Sequence, residues 1–350
     1  MIDSGVTFIV PAHNGERWLD EVFESISAQR DGRPFEVIAV DDGSADGSPG
    51  ILARLAAEGQ MLVLPATSRG AAAAMNAGIR AARHPLICLV DQDVVLQPGW
   101  LTHLLAALAQ PGVAAAQGCY VSDRSAPVIA RVMALDLEQR YASLTGTTTD
   151  HVCTGNSIYR AEALRRVGLF DESFGYGCDN DMSYRLAEAG YEIRFCREAT
   201  AIHRCRDSVG SYLVQQYGLG YGRLDLVAKH RRHVRGDAVS PAMMMAHAPL
   251  MLGALGAGLV ASVLCLAGHP WHLPAGLSFA LVGVLVLERS VAAVRALRRF
   301  GDPAALCFVP VHLLRDVAWA GAIMAWGVRR AVRLKPRPWH SMRRQRNGKR

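Results

Sequence analysis

Two aspartates separated by one residue follow an apolar segment in the first third of the chain. Residues 86–90 have the composition of a fully buried strand, and Asp91, Gln92 and Asp93 come directly after it. A buried parallel strand presents its carboxyl end to the crevice where open α/β sheets bind ligands. Two carboxylates there repel each other, so a divalent cation shared with a diphosphate is one interpretation. An aspartate-rich turn is the alternative.

Two earlier strand-like segments also end in polar residues. Residues 6–10 precede Pro11, Ala12 and Asn14, and residues 35–40 precede Asp41 and Asp42. Strands and helices alternate here, which predicts right-handed βαβ crossovers and a mostly parallel α/β sheet. The three strand ends should then meet in one ligand site. Asp41 or Asp42 could accept hydrogen bonds from a base or a ribose, or could simply cap a turn.

Several classes of site and partner are excluded by the sequence. No G-x-G-x-x-G or G-x-x-x-x-G-K-[ST] motif follows the first strand, so a bound nucleotide would depend on carboxylates and a metal. The eight cysteines include no C-x-x-C pair, which argues against a disulfide framework or a zinc site. The net charge is +7, but residues 329–350 alone carry ten Lys or Arg and no acid. Because the basicity belongs to this tail, nucleic-acid binding is not expected.

A second group of candidate residues lies between positions 150 and 206. A Gly/aromatic loop leads into a predicted helix whose first turn holds Asp179 and Asp181. These aspartates could cap the helix, or one could act as a general base. His203 follows a predicted strand over residues 191–196 and could be structural or a metal ligand.

Taken in order, these motifs resemble family 2 of the inverting glycosyltransferases, which have the GT-A fold. The resemblance covers residues 6–223. It rests on the following strings: VTFIVPAHNGE, VIAVDDGS, AMNAGIRAA, LVDQD, TGNSIYR, VGLFDESFGYGCDNDMSYRL and AIHR. The resemblance implies an α/β catalytic domain of the GT-A type, Rossmann-like with a mostly parallel sheet, and sugar transfer from a nucleotide-diphosphate sugar, with a UDP-sugar as the expected donor.

The family's residue roles carry over by motif. Asp91 and Asp93 match the D-x-D motif that binds Mg²⁺ or Mn²⁺ with the donor diphosphate, and we assign direct metal ligation to Asp93. His203 matches a histidine that completes the metal site in some members, and Asp179 matches the general base. The nucleotide-sugar site would comprise Pro11, Ala12, Asn14, Asp41, Asp42, Asp91 and Gln92. The acceptor side would comprise Gly155, Asn156, Cys178 and Asp181.

Two departures from the family pattern are present. Cys178 replaces the glutamate that usually precedes the base, and Ser68-Arg69-Gly70 stands where N-x-G is common. The stretch QQYGLGYGR over residues 215–223 resembles membrane-bound exopolysaccharide glucosyltransferases. The Q-x-x-R-W motif of processive synthases is missing, so single-sugar transfer is expected.

The last third of the chain has the composition of a membrane region. Residues 242–267 and 271–287 are two uncharged runs, the first longer than the ~20 residues that span a bilayer. Basic clusters at 229–235 and 289–299 flank them and should be cytoplasmic. Residues 304–328 are apolar but contain Arg315 and Asp316, which favours an interfacial or re-entrant segment over a third span.

The sequence therefore predicts a glycosyltransferase domain over residues 1–235, a membrane region over 236–328 and a basic cytoplasmic tail over 329–350. The catalytic domain would face the cytoplasm at the plasma membrane. The expected acceptor is a lipid-linked or cell-surface glycan. A polyprenyl-phosphate sugar synthase and a non-catalytic nucleotide-sugar-binding scaffold are the two alternatives.

Overall fold

The computed structural model describes residues 4–66, 70–144 and 146–332. The chain forms two compact units. The N-terminal unit contains residues 4–123 and 141–205, and the helical unit contains residues 124–140 and 206–332. The boundary expected at residue 235 lies within the helical unit, because residues 206–229 pack with the later helices. Ser68, Arg69 and residues 333–350 of the basic tail lie outside the described residues.

The N-terminal unit is built on a nine-stranded mixed sheet in the described residues. The strands are β1 Val6–Ala12, β2 Phe35–Asp41, β3 Leu62–Pro65, β4 Leu86–Val90, β5 Val94–Leu96, β6 Val113–Val121, β7 Thr148–Thr149, β8 Asn156–Arg160 and β9 Glu192–His203. Their spatial order is β3-β2-β1-β4-β8-β6-β9-β5, and β7 pairs with β9.

The first four strands of this order are parallel, as the alternating pattern predicts. The apolar segments of β1, β2 and β4 are buried on both faces, with Ile9, Ile38 and Ile87 all at 0% exposure, as is typical of parallel strands covered by helices, whereas the edge strand β3 is partly exposed. Thr7 and Arg83 both donate hydrogen bonds to the buried carboxylate of Glu36 on β2. Because β1, β2 and β4 are parallel neighbours, their carboxyl ends lie at the same edge of the sheet.

The other half of the sheet is mixed, which the sequence pattern did not indicate. Strand β8 runs antiparallel to both β4 and β6, whereas β6 and β9 are parallel. The strand predicted over residues 191–196 is twice as long as expected, because β9 continues to His203 and pairs with β5. This extension brings His203 opposite Val94 at the end of the D-x-D segment.

Helices flank the sheet and form the rest of the chain. They are α1 Leu19–Ser27, α2 Ser48–Ala57, α3 Ala71–Ala81, α4 Trp100–Leu108, α5 Val128–Ala142, α6 Ala161–Val167, α7 Cys178–Glu188, α8 Val209–Lys229, α9 Ala242–Leu266, α10 His272–Phe300 and α11 Phe308–Ala331. Short 3₁₀ helices span Arg231–His233 and Pro303–Cys307.

Three helical segments of the helical unit are long and apolar enough to cross a membrane. They are Ala242–Leu266, His272–Phe300 and Pro303–Ala331, with mean hydropathies of 2.1, 1.9 and 1.4. Only 17% of the most apolar window of each of the first two is buried within the protein, against 44% for the third. The third segment is therefore more extensively covered by protein than the other two.

A buried ionic network joins the helices of this unit. Arg289 Nη2 on α10 lies 2.6 Å from His247 Nδ1 on α9 and 3.1 Å from Asp316 Oδ1 on α11. Arg315 Nη1 on α11 lies 3.4 Å from Asp136 Oδ2 on α5. The charges that interrupt the third apolar run are thus buried and paired, which avoids the cost of exposing them to hydrocarbon.

Candidate active site

The candidate site lies where β1, β2 and β4 end. Ala12 pairs with Asp41 across β1 and β2, and the N–H of Asp42 donates to the carbonyl oxygen of Ala12 at 2.8 Å. Pro11 is the neighbouring position on β1 and is partly exposed. Because parallel strands end at one edge of the sheet, the predicted nucleoside residues are brought together as expected.

The two adjacent aspartates after β2 have different surroundings. Asp41 Oδ1 accepts hydrogen bonds from the N–H and hydroxyl of Ser44, so it holds a turn. Asp42 is buried, and its Oδ2 accepts the N–H of Gly70 at 2.9 Å. Its Oδ1 has no hydrogen-bond partner among the described residues. A buried acceptor without a partner is costly, so Asp42 is the stronger candidate for binding a donor group of a nucleoside.

Gln92 joins the D-x-D segment to the loop after β1. Its Oε1 accepts the N–H of His13 at 2.6 Å, and its Nε2 donates to the carbonyl oxygen of His13 at 3.0 Å. Asn14 adopts a left-handed backbone conformation with φ of 52°, and its Oδ1 accepts the N–H of Ala45 at 2.8 Å. Both side chains, predicted as nucleotide contacts, are engaged in shaping the loops of the site.

Asp93 and His203 form the closest pair of candidate metal ligands. His203 Nε2 lies 3.4 Å from Asp93 Oδ1, and both side chains are partly exposed. The Arg204 N–H donates to the Asp93 carbonyl oxygen at 2.7 Å, which fixes the two strands together at this point. A carboxylate oxygen and an imidazole nitrogen at this separation fit two ligands of one divalent cation.

The donor set is incomplete without further ligands. The described residues contain no group of three or more His, Cys, Asp or Glu side chains placed to hold a metal ion together. A cation on Asp93 and His203 would therefore need oxygen ligands from a diphosphate or water, as is usual for Mg²⁺ beside substrate phosphates.

Burial and neighbouring charges shift the pKa values of both Asp91 and His203. Burial, and then the carboxylates of Asp93 and Asp179, raise the pKa of Asp91 to about 7, although His203 opposes the shift. Burial acts to lower the pKa of His203, but Cys205 and Asp93 outweigh it and raise that pKa well above its usual value. Excess negative charge at this edge favours a bound cation.

Tyr120, at the end of β6, is a site residue that sequence reasoning missed. Its ring centroid lies 5.5 Å from that of His203, and its hydroxyl lies 3.3 Å from Cys153 Sγ. A Cβ added to Gly155 would lie 2.5 Å from Asp91 Oδ2 and 3.0 Å from the Tyr120 hydroxyl. Gly155 therefore packs directly against the D-x-D motif, and Tyr120 orients the histidine.

Arg204 forms a second contact set that the sequence did not indicate. Its guanidinium forms ion pairs with Glu21 on α1 and Asp123 after β6. It also lies over the Trp18 ring, with the guanidinium carbon 5.2 Å from the ring centroid. These contacts fix the segment that carries His203.

Asp179 is the second residue of α7 and lies in its first turn. The helix begins directly after Gly177, which has a left-handed backbone conformation with φ of 87°. Asp179 Oδ1 accepts the N–H of Asn180 at 2.9 Å, and Asp179 remains partly exposed. Burial and the Asp179 carboxylate raise the pKa of the neighbouring Cys178 well above that of an ordinary thiol. Asp179 therefore has a neutral thiol where the family pattern has a carboxylate.

Two residues assigned to the acceptor side are structural in this fold. Asn156 is fully buried; its Oδ1 accepts the Trp100 indole N–H, and its Nδ2 donates to the Cys119 carbonyl oxygen. Asp181 is also fully buried and forms an ion pair with Arg185 at 2.9 Å. Both side chains face the interior because β8 and α7 each have a face against the core. Gly155 and Cys178 remain candidates for the acceptor side.

The mixed sheet and the carboxylate-lined ends of its strands define a GT-A glycosyltransferase fold, as predicted. Residues 7–168 match the family model described as Glycosyl transferase family 2. These residues, a little under half of the chain, therefore form a family 2 glycosyltransferase domain.

Relatives with curated descriptions support the same family. The pre-mycofactocin glycosyltransferase of Mycobacterium tuberculosis is 31% identical over 74% of this chain and 55% of its own length. The succinoglycan biosynthesis protein ExoA of Rhizobium meliloti is 26% identical over 71% of this chain and 76% of its own length. The chain thus spans little more than half of the first of these relatives.

A solved structure shares the fold over most of the chain. The mannosyltransferase PcManGT of Pyrobaculum calidifontis, in complex with GDP-Man and Mn²⁺, superposes with a TM-score of 0.58. It is 19% identical, and the match covers 92% of this chain and 86% of that protein. At this identity the likeness establishes the fold.

Proposed function

We propose that the protein is a membrane-anchored inverting glycosyltransferase that transfers one sugar from a nucleotide-diphosphate sugar to a lipid-linked or cell-surface glycan. The observation that carries this proposal is the 3.4 Å pair of Asp93 and His203, which the antiparallel pairing of β5 with β9 brings together, next to Asp91 at the end of β4. A diphosphate brought to this edge meets ligands suited to a shared divalent cation.

Each part of the reaction has a candidate residue. Asp42 offers its unpartnered Oδ1 to the nucleoside, and Asp93 with His203 would hold Mg²⁺ or Mn²⁺. When bound, the cation would neutralise the charge that develops on the departing diphosphate. Asp179 would accept the proton of the acceptor hydroxyl as its oxygen attacks the anomeric carbon from the opposite face. One displacement inverts the configuration of that carbon.

The three apolar helical segments support the anchoring part of the proposal. Two of them leave most of their apolar surface uncovered by protein, as expected for helices in lipid. We propose that the N-terminal unit lies on the cytoplasmic side of the plasma membrane, because one basic cluster precedes α9 and Arg295, Arg298 and Arg299 lie in the last turns of α10, as the positive-inside tendency favours.

Metal-dependent hydrolysis of the donor tests the site without requiring the acceptor. Purified full-length protein would be screened with several nucleotide-diphosphate sugars in Mn²⁺ and Mg²⁺. We expect Asp93→Ala and His203→Ala to reduce hydrolysis and Mn²⁺-induced thermal stabilisation together. The matched control is Glu188→Gln, which alters an exposed carboxylate at the other end of α7. Hydrolysis that is independent of metal, or unchanged in both variants, would contradict the proposal.

A further inference from the structure

Helices α8 and α11 run side by side in the same direction. The Tyr212 hydroxyl near the start of α8 donates to the Val311 carbonyl oxygen near the start of α11. Towards the other end, Asp225 accepts hydrogen bonds from Trp326 Nε1 at 2.8 Å and Arg329 Nη2 at 2.7 Å. The carboxyl ends of the two helices therefore lie together.

The same end of α8 is joined to the beginning of α9. Arg223 Nη1 lies 3.0 Å from Asp237 Oδ2, and Asp237 Oδ1 accepts the N–H of Ser240, two residues before α9 begins. Arg223 and Asp225 are less than one turn apart on α8. The carboxyl end of α11 is thus held near the beginning of α9, which has the highest mean hydropathy of the three candidate spans.

A basic surface lies at this junction. It consists of Arg231, Arg232, Arg235 and Arg330, all exposed, and we call it the junction surface. Exposed valines neighbour these arginines in the sequence: Val234 is 55% exposed, and Val328 and Val332 are 64% and 59% exposed. Residues 226–236 contain no acid.

The two carboxylates of the adjoining helix ends are engaged by other groups. Asp225 is engaged by Arg329 and Trp326, and Asp237 is engaged by Arg223 and by backbone N–H groups. A guanidinium forms paired hydrogen bonds with phosphate oxygens, and the interleaved valines suit the boundary between headgroups and acyl chains. Both features match a surface of anionic lipid rather than water alone.

We propose that the junction surface binds the headgroups of anionic phospholipids and holds α11 along the membrane surface beside the start of α9. This proposal rests on the helical unit being embedded in a bilayer, but not on the identity of donor or acceptor. The third apolar segment is the most extensively covered of the three candidate spans, because α11 is held by α8 at both ends and shielded on one side by protein.

Lipid titration of the full-length protein tests the proposal. Detergent-solubilised protein would be titrated with phosphatidylglycerol, phosphatidylcholine or a polyprenyl phosphate, and binding would be measured by thermal shift and native mass spectrometry. The variant is Arg231→Gln with Arg232→Gln. The matched control is Arg165→Gln with Arg166→Gln, an adjacent exposed pair on α6 in the N-terminal unit.

We expect the protein to bind phosphatidylglycerol in preference to phosphatidylcholine. The junction variant should bind phosphatidylglycerol about 30-fold more weakly, since each of its two missing arginines contributes roughly 1 kcal/mol of binding free energy. The control pair should bind as the wild type does. Donor hydrolysis by the junction variant should be unchanged, which separates this proposal from the proposed function. Equal affinity of wild type and junction variant, or binding of the polyprenyl phosphate alone, would overturn the proposal.

Discussion

Asp179→Asn is the sharpest test of the mechanism. The substitution keeps the size of the side chain and leaves an amide oxygen that can still accept the N–H of Asn180, but an amide cannot accept the proton of an acceptor hydroxyl. General-base catalysis contributes ~10²- to 10⁴-fold, equivalent to about 2.7–5.4 kcal/mol of transition-state free energy. Loss of a charge in the first helical turn costs only about 0.3–1 kcal/mol of stability. Loss of transfer should therefore greatly exceed any loss of folding.

The assay measures sugar transfer and donor hydrolysis by the same membranes, with Glu188→Gln at the exposed end of α7 as the matched control. We expect Asp179→Asn to lose transfer to a hydroxyl acceptor while it retains Mn²⁺-dependent binding of the donor. A variant that transfers to a hydroxyl within a factor of about three of wild type would refute the role of Asp179. Retained transfer to a polyprenyl phosphate alone would instead support the synthase alternative, because an ionised phosphate needs no base.

The remaining predictions concern the supports of the site and of the sheet. Tyr120→Leu should weaken Mn²⁺ binding by about 10- to 100-fold through loss of the ring against His203, with Tyr120→Phe closer to wild type, as measured by metal titration. Gly155→Ala should reduce donor hydrolysis at least tenfold, and an active variant would show that Asp91 need not stay in place. Burial acts to raise the pKa of Glu36, but the hydrogen bonds that the carboxylate accepts outweigh burial and lower that pKa. The ionised carboxylate therefore stabilises the fold fully above its ordinary pKa of 4.5, and this contribution is lost as the pH falls further. Glu36→Gln should cost about 1–3 kcal/mol at pH 7 and flatten the acid side of the stability profile, as measured by unfolding at several pH values.

The parallel half of the sheet could be predicted because its strands are buried on both faces. Continuous apolar runs such as Phe8 to Val10 and Leu86 to Val90 carry that signal in the sequence itself. Strand β6 was not recognised, since its sequence VAAAQGCYV is rich in alanine, which has a low strand propensity. The second half of β9 was missed because its residues alternate between buried and exposed and include charges.

The sequence predicts the positions of site residues that lie at strand ends. It does not predict those that depend on pairing between strands far apart in the chain. Asp41, Asp42, Asp91 and Asp93 each come immediately after an apolar run, so their approximate placement follows from a parallel sheet. The proximity of His203 to Asp93 depends on the pairing of β5 with β9, which are more than 100 residues apart. No local pattern encodes that pairing, so the sequence alone left His203 as either a structural residue or a metal ligand, and the family resemblance favoured the metal site.

The first turn of α7 shows how the structure narrows the choice of a general base. The sequence places Asp179 and Asp181 in this turn after Cys178, and either aspartate could cap the helix or act as a general base. Asp181 is committed to Arg185 and fully buried, whereas Cys178 is held neutral by burial and by its neighbour. Asp179 is therefore the carboxylate of this turn that remains partly exposed, beside Asp91, which senses its charge. In the proposed mechanism, the neutral Cys178 would place no second charge beside Asp179, which would accept the proton.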